Sequence, residues 1–287
     1  QIVISDGEPT GIFFDNAMDL VYSAFPAPDR EALKSMILAA CTDLNSRGIT
    51  GVHRDDYCVF RNLPWQEVNS AFRELEQEGK LTVRVYEQAN FTDASALKDF
   101  MDAGNITGIG TDFFRIGPLK MLGDGALGAR TAYLTKPYLD DPTTRGLSVF
   151  TPEVFDEMIG YANENQMQVA VHCIGDACLD LVLDAIEKAQ AEHPRADARH
   201  GIVHCQITRP DQLDRIARNR MHVYAQSIFL DYDLHIVAQR VGEKLAASSY
   251  SWKTLLKNGG TVSNGSDCPV ERPNVMGGIQ CAVTRRD

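Results

Sequence analysis

Short runs of β-branched and apolar residues alternate along the chain with longer segments whose apolar positions recur every three to four residues. This is the pattern of successive βα units around a parallel sheet. The runs predict strands at 49–54, 81–88, 113–122, 168–173, 201–205, 222–226 and 261–266. Between them, Pro28-Asp29 opens a helical segment that runs into Arg47-Gly48, and Pro64-Trp65 opens one that stops at Gly79. Thr151-Pro152-Glu153 offers a hydroxyl N-cap followed by proline at the first helical position, for a helix reaching Asn163. Another begins at Asp176, with Leu179, Val182, Leu183 and Ile186 on one face. Every crossover is long enough for a helix, so the expected fold is α/β, a (β/α)8 TIM barrel with seven of its eight strands visible.

Residues 124–150 break the alternation. Gly, Pro, Thr and Asp cluster there without periodicity, which predicts a long loop at one barrel mouth, where function concentrates. No linker divides the chain. At 287 residues it suits one barrel domain over 1–287, since such barrels take about 250 residues. The chain opens without Met or an obvious cap, which reads as a fragment of a longer protein.

Composition narrows the partners. With 44% hydrophobic and 23% charged residues, a sizeable core is expected and disorder is not. A formal net charge of -11 disfavours nucleic acid and anionic membrane, which attract clustered Lys and Arg. No apolar run suggests a membrane span and the N-terminus carries no signal pattern, so a cytoplasmic location is expected. Seven cysteines without CxxC spacing suggest reduced thiols rather than disulfides or a Cys-rich zinc cluster.

Barrel enzymes assemble their sites from the C-terminal ends of several strands. His172 ends the run Val-Ala-Val, His204 ends Gly-Ile-Val, and Asp267 closes Thr-Val-Ser-Asn-Gly-Ser. Thirty-two residues separate the two histidines, one βα unit, and 63 separate His204 from Asp267, about two. Two imidazoles and a carboxylate suit a divalent transition ion such as zinc. Such a site acidifies a bound water, Asp267 would take or relay its proton, and hydrolysis of a polarised carbonyl is the natural reaction. The bland alternative is a set of satisfied polar groups closing a barrel end. Cys173, Cys205 and Cys268 follow the three candidates and are read as packing residues, because side chains alternate along a strand. Asp124 and Arg130 flank the Gly-rich loop as candidate substrate-pocket residues, with a loop salt bridge as the alternative. His53, ending the first predicted strand, is a weaker candidate for the same mouth. Lys120, just before the loop, reads on its own as a salt-bridging lysine, since an ammonium has no lone pair to donate.

The ordered set Leu-Lys-Met-Leu-Gly-Asp-Gly-Ala-Leu-Gly-Ala-Arg-Thr-Ala, Val-Ala-Val-His-Cys-Ile-Gly-Asp-Ala, Arg-His-Gly-Ile-Val-His-Cys-Gln and Gly-Ser-Asp-Cys-Pro-Val resembles the amidohydrolase superfamily. Within it the likeness is to the YtcJ-like branch, which includes N-substituted formamide deformylases. The resemblance implies a metal-dependent barrel that hydrolyses C–N bonds of small amide-like substrates. Lys120 then matches the strand-four lysine, which if carboxylated would be an oxygen ligand. His172 and His204 match the strand-five and strand-six histidines, and Asp267 the strand-eight aspartate. The opening Gly-Glu-Pro-Thr-Gly-Ile-Phe-Phe-Asp looks like the segment that follows strand one. The branch carries a His-x-His pair on that strand, which is absent here, as are the flanking β-sandwich segments. A barrel truncated before its first strand is the expectation, together with self-association through the open sheet edge into a homo-oligomer. A non-catalytic ligand-binding barrel and Schiff-base chemistry at Lys120 stay open as alternatives.

Overall fold

The computed structural model describes residues 2–13, 15–60 and 62–286, leaving aside the side chains of residues 15, 16 and 19. The chain forms two compact units.

The first unit comprises Gln1–Asn90 and Gly110–Arg115. It opens with an antiparallel hairpin, β1 (Ile2–Ser5) and β2 (Glu8–Phe13), where the resemblance implied only a segment after strand one. Its two-residue turn, Asp6-Gly7, has positive φ at both positions (52° and 84°), the requirement of a tight primed turn that Asp-Gly meets readily. β3 (Gly51–Arg54) then pairs in parallel with β4 (Arg84–Asn90). The helix Arg30–Ser46 is capped by the Asp29 carboxylate, which accepts from Ala32 N at 2.8 Å. The helix Trp65–Gln77 follows Pro64 and buries Val68, Ala71, Phe72 and Leu75 at its helical spacing.

The second unit comprises Phe91–Ile109 and Ile116–Asp287. Its strands are β5 (Phe114–Leu122, from residue 116 on), β6 (Val169–Cys173), β7 (Gly201–His204), β8 (His222–Ala225) and β9 (Thr261–Asn264), parallel and in chain order. β6 and β7 are buried nearly throughout, the signature of a parallel sheet covered on both faces. Helices Pro152–Glu164, Asp176–Glu192 and Pro210–Arg218 fill the crossovers. Thr151 does occupy the N-cap of the first, but its hydroxyl makes no capping bond, so proline at the first helical position carries that start.

Seven strands of the βα alternation are thus present, as the hydrophobic pattern predicts, and the eighth stave of a closed (β/α)8 barrel is not among the described residues. Boundaries move by up to three residues: Leu81 and Val83 are buried before β4 begins, and burial alone made them look like strand. Residues 124–150 form neither helix nor strand, yet Leu127, Ala132, Leu134 and Tyr138 pack with Ile174, Ile207 and Val237 into a buried cluster. The loop is a packed structure rather than a slack connector. No helix among the described residues is long and apolar enough to cross a membrane.

Candidate metal centre

Register decides which side chains can meet. Lys120 on β5 pairs with Ala170 on β6, and His172 lies two residues further along β6, so both point to the same face. His204 pairs with Cys173, whose side chain alternates to the opposite face. A regular β7 would therefore send the His204 imidazole away from His172. Instead His204 takes φ 71° and Cys205 φ 51°, two successive left-handed residues that turn the strand end. The ring swings back, and the two imidazoles stand edge to face with centroids 4.4 Å apart. Left-handed backbone at a non-glycine residue costs about 1–2 kcal/mol, a conformation that persists where surrounding structure enforces it. Here Cys205 N, donating to Cys173 O at 3.1 Å, is part of that enforcement.

The hydrogen bonds fix the tautomers. His172 Nε2 lies 3.0 Å from Gly125 O, which can only accept, so Nε2 carries the proton and Nδ1 keeps its lone pair. Gln226 Nε2 donates to Tyr224 O at 3.0 Å, which orients the amide so that its Oε1 meets His204 Nδ1 at 2.7 Å. Nδ1 of His204 is therefore the donor, and Nε2 keeps the lone pair. Burial pushes His172 well below the ordinary imidazole range, helped by the neighbouring His204 and the Lys120 charge, while the Gly125 bond and Asp267 oppose the shift. Burial and Lys120 push His204 down to about 3. Both rings are neutral at pH 7. Two neutral imidazoles, each tied by one nitrogen and presenting the other, are the arrangement in which histidines bind metal.

Lys120 is buried beside them, and no hydrogen bond or ion pair engages it among the described residues. Asp267 sits beyond β9 with φ 56°, its side chain exposed, close enough for its charge to act on His172. Among the described residues, no group of three or more His, Cys, Asp and Glu side chains stands close enough together to hold an ion. The structure thus brings Lys120, His172 and His204 together and leaves Asp267 at the margin.

The loop candidates have other partners. The Asp124 side chain is fully buried; Oδ2 accepts from Gly175 N at 2.8 Å and Tyr133 N at 2.9 Å, and Oδ1 from Ile174 N at 3.0 Å. Oδ1 also lies 3.4 Å from His172 Nε2. Burial raises this carboxyl to about 7 against those three N–H bonds. Asp124 is therefore an anchor between the loop and the end of β6 rather than an open substrate contact. Gly175 reinforces it: a Cβ there would lie 2.0 Å from Tyr133 O, so only glycine lets the loop seat. Arg130 forms the loop salt bridge, with Nη2 2.8 Å from Asp140 Oδ2, a carboxylate it shares with Arg240. The first-unit histidine, His53, packs against Tyr86 on the neighbouring strand, with ring centroids 4.8 Å apart and the planes tilted by 57°. All seven cysteines are free, and Cys173 and Cys205 are buried packing residues. Sequence reasoning missed Gln226, the Gly125 carbonyl and Phe229, whose ring stacks on His204 at 5.7 Å. A polar residue ending a strand next to a ligand strand was the one available signal for Gln226.

The βα order and the paired histidines at adjacent strand ends accord with the result of comparison: residues 1–287 match the family model described as the amidohydrolase family, and the chain belongs to that family. It is 33% identical over 288 residues to the putative amidohydrolase YtcJ of Bacillus subtilis (strain 168), covering 99% of this chain and 52% of that protein. Among solved structures it resembles an uncharacterized metal-dependent hydrolase from Pyrococcus furiosus (30% identity, TM-score 0.77, 93% of this chain and 53% of the other). Another from Pyrococcus horikoshii OT3 gives 27% identity and TM-score 0.80 over 99% of this chain and 56% of the other. The chain spans about half the length of these relatives.

Proposed function

We propose that this chain supplies most of the site of a metal-dependent hydrolase acting on C–N bonds of small amide, formamide or cyclic amide substrates. The observation that carries the reading is the pair of opposite tautomers, which leaves one lone pair on each of two buried, neutral imidazoles in contact. His172 would hold a divalent ion through Nδ1 and His204 through Nε2. The nitrogen-rich donor set favours zinc, which when bound supplies Lewis acidity and an acidified water. Lys120 enters as its carbamate: the deprotonated amine forms a bond from nitrogen to the carbon of carbon dioxide and releases its remaining extra proton to solvent, which leaves an anionic oxygen donor at a buried side chain. Asp267, exposed at the strand end, would take the proton of the attacking water on its carboxylate and pass it to the leaving nitrogen. A non-catalytic barrel would need no such lone pairs. Reduced thiols on seven free cysteines fit a cytoplasmic setting.

Metal analysis of the purified protein and of His172→Ala and Asp267→Asn, with formate release from N-formyl amines as the turnover assay, tests the reading. Loss of metal from His172→Ala and loss of turnover from Asp267→Asn are expected; unchanged metal content in His172→Ala would overturn it. β9 is paired on one side only among the described residues, and its free edge supports association into a homo-oligomer, to be read from the solution mass.

A further inference from the structure

The opposite ends of β7 and β8 carry a second concave site. A cavity of about 540 Å³ opens there, within the range that accepts small metabolites, lined by Arg195, Arg199, Arg218 and Arg220 with Asp197 and His200 among their neighbours. His204 ends β7 and Arg199 lies two residues before its start. Four strand residues of about 3.3 Å each put roughly 13 Å of strand between this cavity and the histidine pair.

Charge in the cavity is unbalanced. Asp197 is taken by Arg199, with an ion pair at 2.7 Å and the Arg199 Nε at 2.9 Å from both carboxylate oxygens. Arg195 spends its guanidinium on backbone carbonyls, with Nη1 2.8 Å from Met167 O and Nη2 3.3 Å from Gln166 O, so its charge has no carboxylate in contact. Burial accordingly pulls Arg195 below the usual guanidinium range, with Asp197 offsetting only part. Arg218 and Arg220 form no ion pair among the described residues; Glu187, the acid that Arg218 senses, is committed to Arg215 at 2.7 Å. His200 adds no charge, since burial and Arg195 push it down to about 3 and its Nδ1 accepts from Val169 N at 3.2 Å. Arg195, half-buried, and Arg218 and Arg220, both exposed, thus share one cavity with no carboxylate in contact among the described residues, in a chain whose formal charge is -11.

The backbone makes two of the arginines replaceable. Arg220 follows the C-cap of the helix Pro210–Arg218 with φ 52°, the left-handed position where helices usually place glycine. Arg199, two residues before β7, also has φ 52°. An arginine at either position is conformationally worse than glycine, so replacing it with glycine removes the side chain without adding backbone strain.

We propose that this cavity binds a small phosphorylated anion, with Arg218 and Arg220 as its principal donors and Arg195 supplying field. Guanidinium forks match phosphate oxygens in paired hydrogen bonds, and a ligand carrying two or more charges balances the cavity where a monovalent ion does not. Free phosphate and a phosphoester share this chemistry.

The test is calorimetric titration of the intact chain with pyrophosphate, and separately with inorganic phosphate and a simple phosphomonoester, at ionic strength held constant with sodium chloride. Saturable binding is expected, with the melting temperature rising as ligand is added. Stronger binding of the monoester than of inorganic phosphate would identify a phosphoester as the ligand, and the reverse order free phosphate. Arg220→Gly separates binding from folding: it relieves the left-handed strain, so its melting temperature without ligand should equal or exceed that of the parent chain while pyrophosphate affinity falls at least tenfold. Arg218→Ala should weaken binding comparably. Equal affinity in both variants, or no binding beyond that of chloride, would overturn the proposal. The readout is binding alone and does not depend on metal or turnover at the histidine pair.

Discussion

Asp124→Asn asks whether the long loop is held by a charge or merely by its fit. The substitution keeps the shape but leaves one acceptor oxygen where the carboxylate has two, against three backbone donors at 2.8, 2.9 and 3.0 Å. If the amide oxygen keeps the position shared by Gly175 and Tyr133, the Ile174 N–H faces an NH2 group and is orphaned in a dry site, at about 1–3 kcal/mol. The remaining two bonds fall from charge-assisted to neutral, losing roughly 0.5–1 kcal/mol each. The sum is about 2–5 kcal/mol, or about 5–15 °C in melting temperature for a chain of this size. Scanning calorimetry at pH 8 is the assay, because the carboxyl, pushed up to about 7, is mostly ionised there. Hydrogen exchange should quicken at the amides of Tyr133, Ile174 and Gly175. A melting temperature equal to or above that of the parent chain would refute the reasoning, since it would mean that relief of the buried charge, which holds the carboxyl up at about 7, exceeds what the three N–H bonds lose on substitution.

Two further outcomes follow from the buried histidines. His200 has an ordinary value of 6.5 that folding lowers to about 3, so the unfolded chain binds the extra proton between those limits and stability must fall as pH drops from 6.5 towards 3. Its full contribution is present above pH 6.5 and amounts to roughly 5 kcal/mol at most; urea midpoints across this window should slope less steeply in His200→Gln, and identical slopes would remove His200 as the cause. Gln226→Leu removes the acceptor that holds His204 in its Nδ1–H tautomer, and chelator competition should show metal affinity about 10–100-fold weaker, with Gln226→Glu restoring or exceeding it.

The parts of this molecule that follow from local periodicity could be read from the chain. Alternating apolar runs located seven strands, and the strand-end positions of His172 and His204 pointed to a shared rim. Lys120 was different in kind: nothing in its local pattern separates a buried amine from a salt-bridging one, and only its place in an ordered set of motifs drew attention to it. What could not be read depends on backbone reversals and on which atom of a side chain faces which neighbour. By simple alternation His204 belongs on the face of Cys173, so the contact with His172 exists because two consecutive residues adopt φ values that no propensity scale assigns to His-Cys.

The same distinction explains Asp124 and Arg130. A glycine-rich loop bearing an acid and a base beside a predicted rim suggests contacts to a substrate, because unpaired loop charges usually serve something outside the chain. Folding supplies internal partners that sequence spacing hides: Tyr133 N is nine residues from Asp124, Ile174 N fifty, and Asp140 ten from Arg130. Once those bonds are made, the loop reaches the candidate site through its backbone, with Gly125 O holding the proton of His172 Nε2. The loop therefore acts on the histidine pair by selecting a tautomer, so a change anywhere along the Asp124 to Tyr133 to Gly175 contacts should register first as altered lone-pair availability at His172 Nδ1.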